Sequence, residues 1–309
     1  MNRSGGQETC VRQGLWKVAG KTERQSTSDK EVSVRLTGKI ALVTGGGTGI
    51  GLAIAQGFAA EGAKVCITGR RQDVLDEALR SFPPGTATAC SGNVSHDDDA
   101  ERMVDVATTF GGRLDILVNN AGISHQPATV VDLDSAAWRE TIEVNLTGPF
   151  LIMKSAIPRM IQGGGGSVIN IASLGGVRCM PEKPAYTASK AGLIMLTQQA
   201  ALDFGPHNVR INVVCPGGVW TPMIDTFLHR YSEALQTDEA TVTDLVTYDV
   251  PLRRMAQPSE ISGTCVYLAS DDAAFTTGAV IMVDGGASVV DVGRVALRRA
   301  QRDKGLIKG

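Results

Sequence analysis

Residues 44–51 read TGGGTGIG, between an apolar run at 40–44 (IALVT) and a stretch with helical spacing at 50–61. The chain must reverse tightly in such a loop. Glycines lack a Cβ atom and therefore allow a pyrophosphate to approach the backbone N–H groups of a helix N-terminus. Between a strand and a helix, this octet predicts a nucleotide-binding loop. A turn that is rich in glycine for purely structural reasons is the alternative.

Around this loop, short β-rich runs alternate with helical stretches from Leu36 onward. The predicted strands are IALVT (40–44), KVCIT (64–68), TATAC (86–90), LDILVN (114–119), SVINI (167–171), RINVV (210–214) and AVIMVD (279–284). The predicted helices are 50–61, 72–81, 97–110, 134–162, 185–204 and 258–270. We therefore predict an α/β fold, a single doubly wound Rossmann domain whose seven-stranded, mostly parallel sheet has helices on both faces.

The predicted domain covers residues 36–290. Residues 1–35 are polar and are predicted to be a disordered N-terminal extension, and residues 291–309 form a basic C-terminal tail. A long interval follows the sixth strand and contains one amphipathic piece at 227–235. Because an insertion at this point hangs over the ligand crevice, residues 218–250 are predicted to be a substrate lid.

The charge distribution argues against nucleic acid as a partner. The two ends carry net charges of +3 (1–35) and +4 (291–309), whereas residues 36–290 hold 17 Lys and Arg against 26 Asp and Glu, a net −9. No run approaches the roughly 18 apolar residues that span a bilayer, so we predict no membrane contact and a cytoplasmic protein. Organellar targeting by the N-terminal extension is the alternative. The six cysteines are scattered without metal-binding spacing, and no metal site is predicted.

The end of the second predicted strand bears on the choice of nucleotide. In a dinucleotide-binding fold this strand ends beside the adenosine ribose, where an Asp or Glu accepts from the 2′-hydroxyl of NAD. Here that place is Gly69, 24 residues beyond Gly45, and Arg70 and Arg71 follow. A guanidinium can hold a 2′-phosphate bidentately, so the sequence favours NADP(H), with Arg70 as the main contact and Arg71 as its helper. NAD(H) is the alternative, in which both arginines only cap a solvated strand end.

Tyr186 and Lys190 are four residues apart in a predicted helix and therefore lie on one face of it. An ammonium near a phenol favours the phenolate and is expected to lower the pKa of the tyrosine, as a general acid or base requires. Taken alone, the YxxxK pattern is also common as a surface pair. Ser173, at the end of the fifth predicted strand, favours the catalytic interpretation.

The motifs of residues 36–290 resemble, in order and separation, those of the short-chain dehydrogenase/reductase family. They are TGxxxGxG at 44–51, NNAG at 119–122, Asn145 in VNLTG, Ser173 in INIAS, YTASK at 186–190, PGGVWT at 216–221 and VDGG at 284–287. The resemblance implies an oxidoreductase that transfers a hydride between NADP(H) and a carbonyl or secondary alcohol substrate. It also implies a homo-oligomer, a tetramer or a dimer, paired through the helices 134–162 and 185–204.

By this resemblance the catalytic residues are Asn145, Ser173, Tyr186 and Lys190. Ser173 would hydrogen-bond the substrate oxygen, Tyr186 would give or take the proton, and Lys190 would also bind the ribose hydroxyls. Asn145, at a kink in the helix 134–162, would hold a water that links Lys190 to solvent.

The resemblance further implies a set of coenzyme contacts. They are Thr44, Gly45, Thr48, Gly49, Ile50, Gly51, Arg70, Arg71, Asn93, Val94, Asn120, Ala121, Gly122, Tyr186, Lys190, Pro216, Gly217, Val219 and Thr221. Val219 and Thr221 would anchor the nicotinamide carboxamide, and Asn119 would stabilise the central sheet. Asn93 stands where relatives carry an aspartate that contacts adenine, and its amide can both accept from and donate to the base.

Three alternatives to an NADP(H)-dependent carbonyl reductase stay open. They are an NAD-dependent alcohol dehydrogenase, a 3-oxoacyl-thioester reductase, and a non-catalytic nucleotide sensor on the same fold. The sensor is disfavoured because such proteins can dispense with the catalytic residues, which this chain retains. Met180, Trp220 and Met223, with the segment 224–250, predict an apolar substrate pocket of moderate size.

Overall fold

The computed structural model describes residues 34–291 and, beyond them, residues 293, 297, 300, 301 and 304. The predicted N-terminal extension, apart from its last two residues, and most of the predicted basic tail therefore lie outside the described residues. Within the described part of the chain, no helix is both long enough and apolar enough to cross a membrane.

Seven strands form one sheet, and every neighbouring pair of strands is parallel. The strands are β1 (Ile40–Thr44), β2 (Lys64–Gly69), β3 (Ala87–Ser91), β4 (Ile116–Asn119), β5 (Gly166–Ile171), β6 (Val209–Pro216) and β7 (Val280–Val283). Their order in the sheet is β3-β2-β1-β4-β5-β6-β7. The chain thus reverses its direction of growth between β1 and β4, which opens a crevice at the carboxyl ends of these two strands.

Helices cover both faces of the sheet. They are α1 (Gly49–Ala60), α2 (Gln72–Leu79), α3 (Asp97–Gly111), α4 (Ser135–Ile142), α5 (Gly148–Gln162), α6 (Pro184–Phe204), α7 (Pro222–Leu235), α8 (Glu239–Thr247) and α9 (Pro258–Ala269). Successive strand residues point to opposite faces. Val43 therefore joins the apolar cluster of Phe58 in α1, whereas Leu42 joins the cluster of Met103 in α3. The predicted doubly wound α/β fold is confirmed, and its sheet is entirely parallel.

The predicted helix 134–162 is interrupted. A π-helical turn, Glu143–Thr147, separates α4 from α5. Pro149 has no N–H to donate to the carbonyl of Asn145 four residues earlier, so the α-helical hydrogen-bond ladder cannot continue through this point. The kink expected at Asn145 is therefore a π-helical turn, and the side-chain amide of Asn145 is buried inside the protein.

The interval after β6 contains more helix than predicted. The sequence analysis found only the amphipathic piece 227–235, but the structure has both α7 and α8 here. Thr221 caps α7 by accepting from the N–H of Ile224 at 3.4 Å, and Asp238 caps α8 by accepting from the N–H of Thr241 at 2.7 Å. These capping residues are visible in the sequence, and the search for apolar spacing alone overlooked them.

Candidate active site

The loop at residues 44–51, between β1 and the start of α1, is called the phosphate loop below. It has a shape that only glycine permits. Gly45 and Gly49 adopt positive φ angles of 63° and 55°. A Cβ atom on Gly51 would lie 2.2 Å from the carbonyl oxygen of Gly45, and one on Gly45 would lie 2.9 Å from Nδ2 of Asn120. The loop therefore lies directly against the start of α1, whose first N–H groups have no intrahelical acceptors and point toward the crevice.

Two side chains hold this loop to the end of β4. The hydroxyl of Thr44 accepts from the N–H groups of Asn120 at 3.0 Å and Ala121 at 3.1 Å. In return, Nδ2 of Asn120 donates to the carbonyls of Thr44 at 3.0 Å and Gly45 at 3.1 Å. The side chain of Asn120, predicted to be a coenzyme contact, is thus used to shape the loop. Asn119 links the sheet instead, since its Nδ2 donates to Oδ1 of Asn170 in β5 at 2.9 Å.

The two arginines of the second strand lie next to the phosphate loop. The N–H of Gly46 donates to the carbonyl of Thr68 at 3.0 Å, so the end of β2 is joined to the loop. Arg70 and Arg71 follow directly and are exposed. Among the residues that the structure describes, neither guanidinium has a carboxylate or hydrogen-bond partner. Two unneutralised cations therefore stand where the adenosine end of a dinucleotide would leave the loop.

Asn93 has a structural use that sequence reasoning missed. Its Oδ1 accepts from the N–H of Ser95 at 3.2 Å and from the hydroxyl of Ser95 at 2.9 Å, and its own N–H donates to Asp99 at 2.8 Å. These bonds build the turn that starts α3. Val94 is buried against Gly148, where a Cβ atom would lie 2.8 Å from Cγ2 of Val94. Both residues thus shape the wall at which adenine was predicted to bind.

Three of the four predicted catalytic residues come from β5 and α6. Ser173 follows β5 and caps a short 3₁₀ turn, because its hydroxyl accepts from the N–H of Gly175 at 3.0 Å. Tyr186 and Lys190 lie one turn apart in α6. Lys190 is only 4% exposed, and its ammonium donates to the carbonyl of Ile171, the last residue of β5, at 2.8 Å. The helix is therefore fastened to the strand end beside Ser173.

The fourth residue, Asn145, is fully buried in the π-helical turn. Its Oδ1 accepts from the N–H of Ile123 at 2.8 Å, and its Nδ2 donates to the carbonyl of Ile123 at 2.9 Å and to the hydroxyl of Ser189 at 3.1 Å. The amide thus clamps the loop after β4 to α6. A Cβ atom on Gly122 would lie 3.3 Å from Oδ1 of Asn145 and 3.4 Å from Nζ of Lys190, so glycine leaves room for both groups.

Burial dominates the electrostatics of these residues. It lowers the pKa of the Lys190 ammonium to about 8, because a buried charge loses its hydration. It also raises the pKa of the Tyr186 phenol, while hydrogen bonding to the Ser173 hydroxyl acts in the opposite direction. The net pKa of Tyr186 is therefore raised and not lowered as expected, because burial outweighs the groups that favour the phenolate. The ammonium lies 5.9 Å from the centre of the Tyr186 ring, and burial of the phenol has the larger effect.

The chain that follows β6 closes the other side of the crevice. The backbone of Trp220 donates to the carbonyl of Ala256 at 3.0 Å, and the adjacent Val219 is buried. A Cβ atom on Gly49 would lie 3.2 Å from Cγ2 of Thr221, so the cap of α7 touches the phosphate loop. A cavity of about 400 Å³ opens beside this contact, lined by Gly49, Leu52, Ala53, Gln56, Trp220, Thr221, Pro222, Asp225 and Pro258.

Sequence reasoning also missed polar residues around the site. Ser189 was not singled out although it lies within YTASK, and it receives the hydrogen bond of Asn145. Lys183, at the start of α6, and Arg230, within α7, both contact the loop that follows β4. Arg230 and Gln126 are 104 residues apart, and no local pattern in the sequence pairs them. No group of three or more potential metal ligands occurs within the described part of the chain.

The chain is similar to known oxidoreductases over most of its length. A family model described as "Enoyl-(Acyl carrier protein) reductase" matches residues 45–288. The NADP-dependent (R)-specific alcohol dehydrogenase of Lentilactobacillus kefiri is 39% identical over 82% of this chain and 97% of its own length. The trans-4-hydroxycyclohexanecarboxylate dehydrogenase of Sinomonas cyclohexanicum is 38% identical over 82% of this chain and 95% of its own.

Solved structures give the same assignment. The crystal structure of levodione reductase matches with a TM-score of 0.79 at 31% sequence identity, covering 83% of this chain and 100% of that chain. The family-model match, residues 45–288, contains the strands β2 to β7 and the predicted catalytic residues. The protein therefore belongs to the short-chain dehydrogenase/reductase family and is an NAD(P)-dependent oxidoreductase.

Proposed function

We propose that the protein transfers a hydride between NADP(H) and a ketone or secondary alcohol, with Tyr186 as general acid and base. One observation carries this proposal. The phenol of the half-buried Tyr186 lies next to the Ser173 hydroxyl and one helical turn from the buried Lys190, at the carboxyl edge of the sheet. The relatives named as alcohol dehydrogenase and trans-4-hydroxycyclohexanecarboxylate dehydrogenase support the reaction class.

The residues divide the work of carbonyl reduction. When bound, NADPH supplies the hydride for the carbonyl carbon. Ser173 donates a hydrogen bond to the carbonyl oxygen, and the hydroxyl of Tyr186 transfers its proton to that oxygen as negative charge develops there. Lys190 then stabilises the tyrosinate, and Asn145 fixes the helix that carries both residues. In alcohol oxidation the proton moves in the opposite direction, from the substrate hydroxyl to Tyr186.

The phosphate loop fits a dinucleotide diphosphate, because the positive φ angles of Gly45 and Gly49 turn the backbone at the N-terminus of α1, where unpaired N–H groups can bind an anion. Gly69 presents no carboxylate to repel a 2′-phosphate, and the free guanidinium of Arg70 is suited to bind it, with help from Arg71. The relative named as NADP-dependent supports this preference. NAD(H) is the alternative coenzyme.

We further infer a homo-oligomer in the cytoplasm. Large apolar side chains are exposed on the helices that were predicted to pair between subunits, namely Trp138, Phe150, Met195 and Leu202. Their contact with a second copy of the chain would remove this surface from water.

Residues 218–250, with α7 and α8, serve as the substrate lid, and the exposed Met180 and Met223 supply apolar contacts.

A 3-oxoacyl-thioester reductase is the second candidate, supported by 34% identity to the 3-oxoacyl-[acyl-carrier-protein] reductase FabG of Thermotoga maritima. To separate the candidates, the purified protein is incubated with NADPH and a panel of ketones, quinones, steroids, sugars and acyl thioesters, and NADPH consumption is followed. We expect turnover with small ketones. Turnover with acyl thioesters alone would favour the second candidate. Coenzyme binding without turnover of any substrate would contradict both and favour a nucleotide sensor.

A further inference from the structure

A group of basic side chains lies beside the proposed reaction site, at the start of α6. Lys183 is the residue before this helix and Tyr186 is its third residue. Tyr186 and Lys190, four positions apart, share one face of the helix, and Lys183 is the N-cap residue three positions before Tyr186. Lys183 is therefore about one turn, roughly 5 Å, farther toward the helix N-terminus than the proposed proton donor.

Lys183 and Arg230 approach the same loop from two different helices. The ammonium of Lys183 donates to the carbonyl of His125. A guanidinium nitrogen of Arg230, in α7, donates to Oε1 of Gln126 at 2.5 Å. Two cations from distant parts of the chain thus converge on consecutive residues of the loop that follows β4.

These two cations are not neutralised by the protein. Burial lowers the pKa of Lys183, and the nearby positive charge of Arg230 lowers it further, whereas Glu182 acts weakly in the opposite direction. Within the described residues, neither cation has a carboxylate oxygen within 4.0 Å. By contrast, Arg254 of the same interval is held by both carboxylate oxygens of Glu260. Two like charges held together without an anion favour binding of one.

His125 supplies a third polar group. Its Nδ1 contacts the carbonyl of Gln126, which can only accept, so Nδ1 carries a proton. Its Nε2 is buried and has no hydrogen-bond partner among the described residues. Leaving a buried nitrogen unpaired is unfavourable, so a polar group of a ligand is the natural partner for it.

We propose that Lys183 and Arg230, beside His125, form a carboxylate subsite, and that the substrate is a ketone or secondary alcohol that carries a carboxylate roughly 5 Å from its reacting carbon. The two oxygens of a carboxylate can bridge an ammonium and a guanidinium, because both of these groups donate. Nε2 of His125 accepts when Nδ1 carries the proton, so it would take a hydrogen bond from a donor elsewhere on the ligand. The inference rests on the proposed function, because it places the subsite relative to Tyr186.

The test compares two ketones that differ only in charge, 4-oxocyclohexanecarboxylate and its methyl ester. With NADPH and the wild-type protein, we expect kcat/KM to be at least about tenfold higher for the carboxylate, as one charge-assisted hydrogen bond would provide. The ratio should fall as the salt concentration rises. In the Lys183→Met/Arg230→Gln double variant the ratio should fall to about 1, while turnover of the ester changes by less than about threefold.

Two further variants control for charge and folding. Lys183→Arg keeps the cation and should retain most of the preference. Arg80→Gln removes one exposed positive charge just after α2 and should leave the ratio unchanged. A wild-type ratio of 1 or below, or an equal loss of activity toward both ketones in the double variant, would overturn the proposal.

A binding measurement separates this inference from the proposed function. Calorimetry of the protein with NADP⁺ compares cyclohexanecarboxylate with its uncharged carboxamide. Tighter binding of the carboxylate that is lost in the double variant supports the subsite even if no ketone is reduced. Equal binding of the two ligands, or tighter binding of inorganic phosphate than of the carboxylate, would overturn it.

Discussion

The two ends of the crevice hold their functional side chains in different ways. At the end proposed for proton transfer, Asn145 and Lys190 are buried and hydrogen-bonded to backbone groups or side chains of neighbouring elements. At the end proposed for the adenosine, Arg70 and Arg71 are exposed and, among the described residues, free of partners. Proton transfer requires groups that are fixed before the substrate arrives. Recognition of a coenzyme phosphate requires cations that are still available to bind it.

This difference predicts that the two ends can be altered separately. Removing a buried group should change turnover or stability, because neighbouring groups lose their hydrogen bonds. Removing an exposed arginine should change the choice of coenzyme while leaving the chemistry intact. The four predictions below test this separation, in order of decreasing effect.

Tyr186→Phe removes only the phenolic oxygen. We expect kcat to fall about 10³-fold, within the range of general acid–base catalysis, because no other group would donate the proton. The measurement is steady-state NADPH oxidation with any ketone that the wild-type protein reduces, and NADPH affinity serves as the control. Near-normal turnover in this variant would exclude Tyr186 as the proton donor.

Gly51→Ala places a Cβ atom 2.2 Å from the carbonyl oxygen of Gly45. We expect a loss of about 3 kcal/mol in the free energy of unfolding, together with weaker binding of both coenzymes, because the loop must move. Gly263→Ala is the matched control, since Gly263 is also helical but its Cβ atom would meet open space. That change should be neutral or stabilise the protein by up to about 1 kcal/mol. Similar unfolding curves for the two variants would contradict the account of the loop.

Gly69→Asp combined with Arg70→Ala tests the adenosine end. We expect the ratio of kcat/KM for NADPH over NADH to fall about 100-fold, because a 2′-phosphate loses a charge-assisted contact and meets a carboxylate. The kcat with the preferred coenzyme should change by less than about threefold. A comparable loss with both coenzymes would mean that the two ends of the crevice are not separable.

Lys190→Met tests the burial of the lysine through pH. The pKa of this ammonium is about 8 in the folded protein, against an ordinary 10.5. Between these values the unfolded chain binds more protons, so stability must rise with pH in this window. From pH 8 to 10 the wild-type protein should gain about 2 kcal/mol relative to Lys190→Met, measured by denaturant unfolding. If the stability difference between the two proteins stayed constant or fell from pH 8 to 10, the pKa of Lys190 would not be lowered by burial.

Much of the fold follows from local pattern. Apolar runs such as IALVT and SVINI located β1 and β5 to within a residue, because burial on both faces leaves a continuous apolar signature. The interruption at Asn145 depends on Pro149, which removes one hydrogen-bond donor from the ladder. The sequence predicts a kink there but not its π-helical form. The first five residues of α7 and all of α8 were likewise missed, although their capping residues carry the signal.

The site was less predictable where it depends on distant contacts. The motif residues could be identified by their order along the chain. The effect of burial on Tyr186 could not be foreseen, because the sequence does not show how far the phenol is removed from water. The convergence of Lys183 and Arg230 joins residues of α6 and α7 with a loop about a hundred residues before Arg230, so only the folded chain reveals it.

The central claim is that this chain uses NADP(H) for carbonyl chemistry, with Arg70 binding the coenzyme's 2′-phosphate. The most direct test is the steady-state kcat/KM of the wild-type protein with NADPH and with NADH, measured on the same ketone at the same salt concentration. We expect NADPH to be at least about tenfold better, since a guanidinium contact to a phosphate is charge-assisted. Equal values, or a higher value with NADH, would contradict the claim.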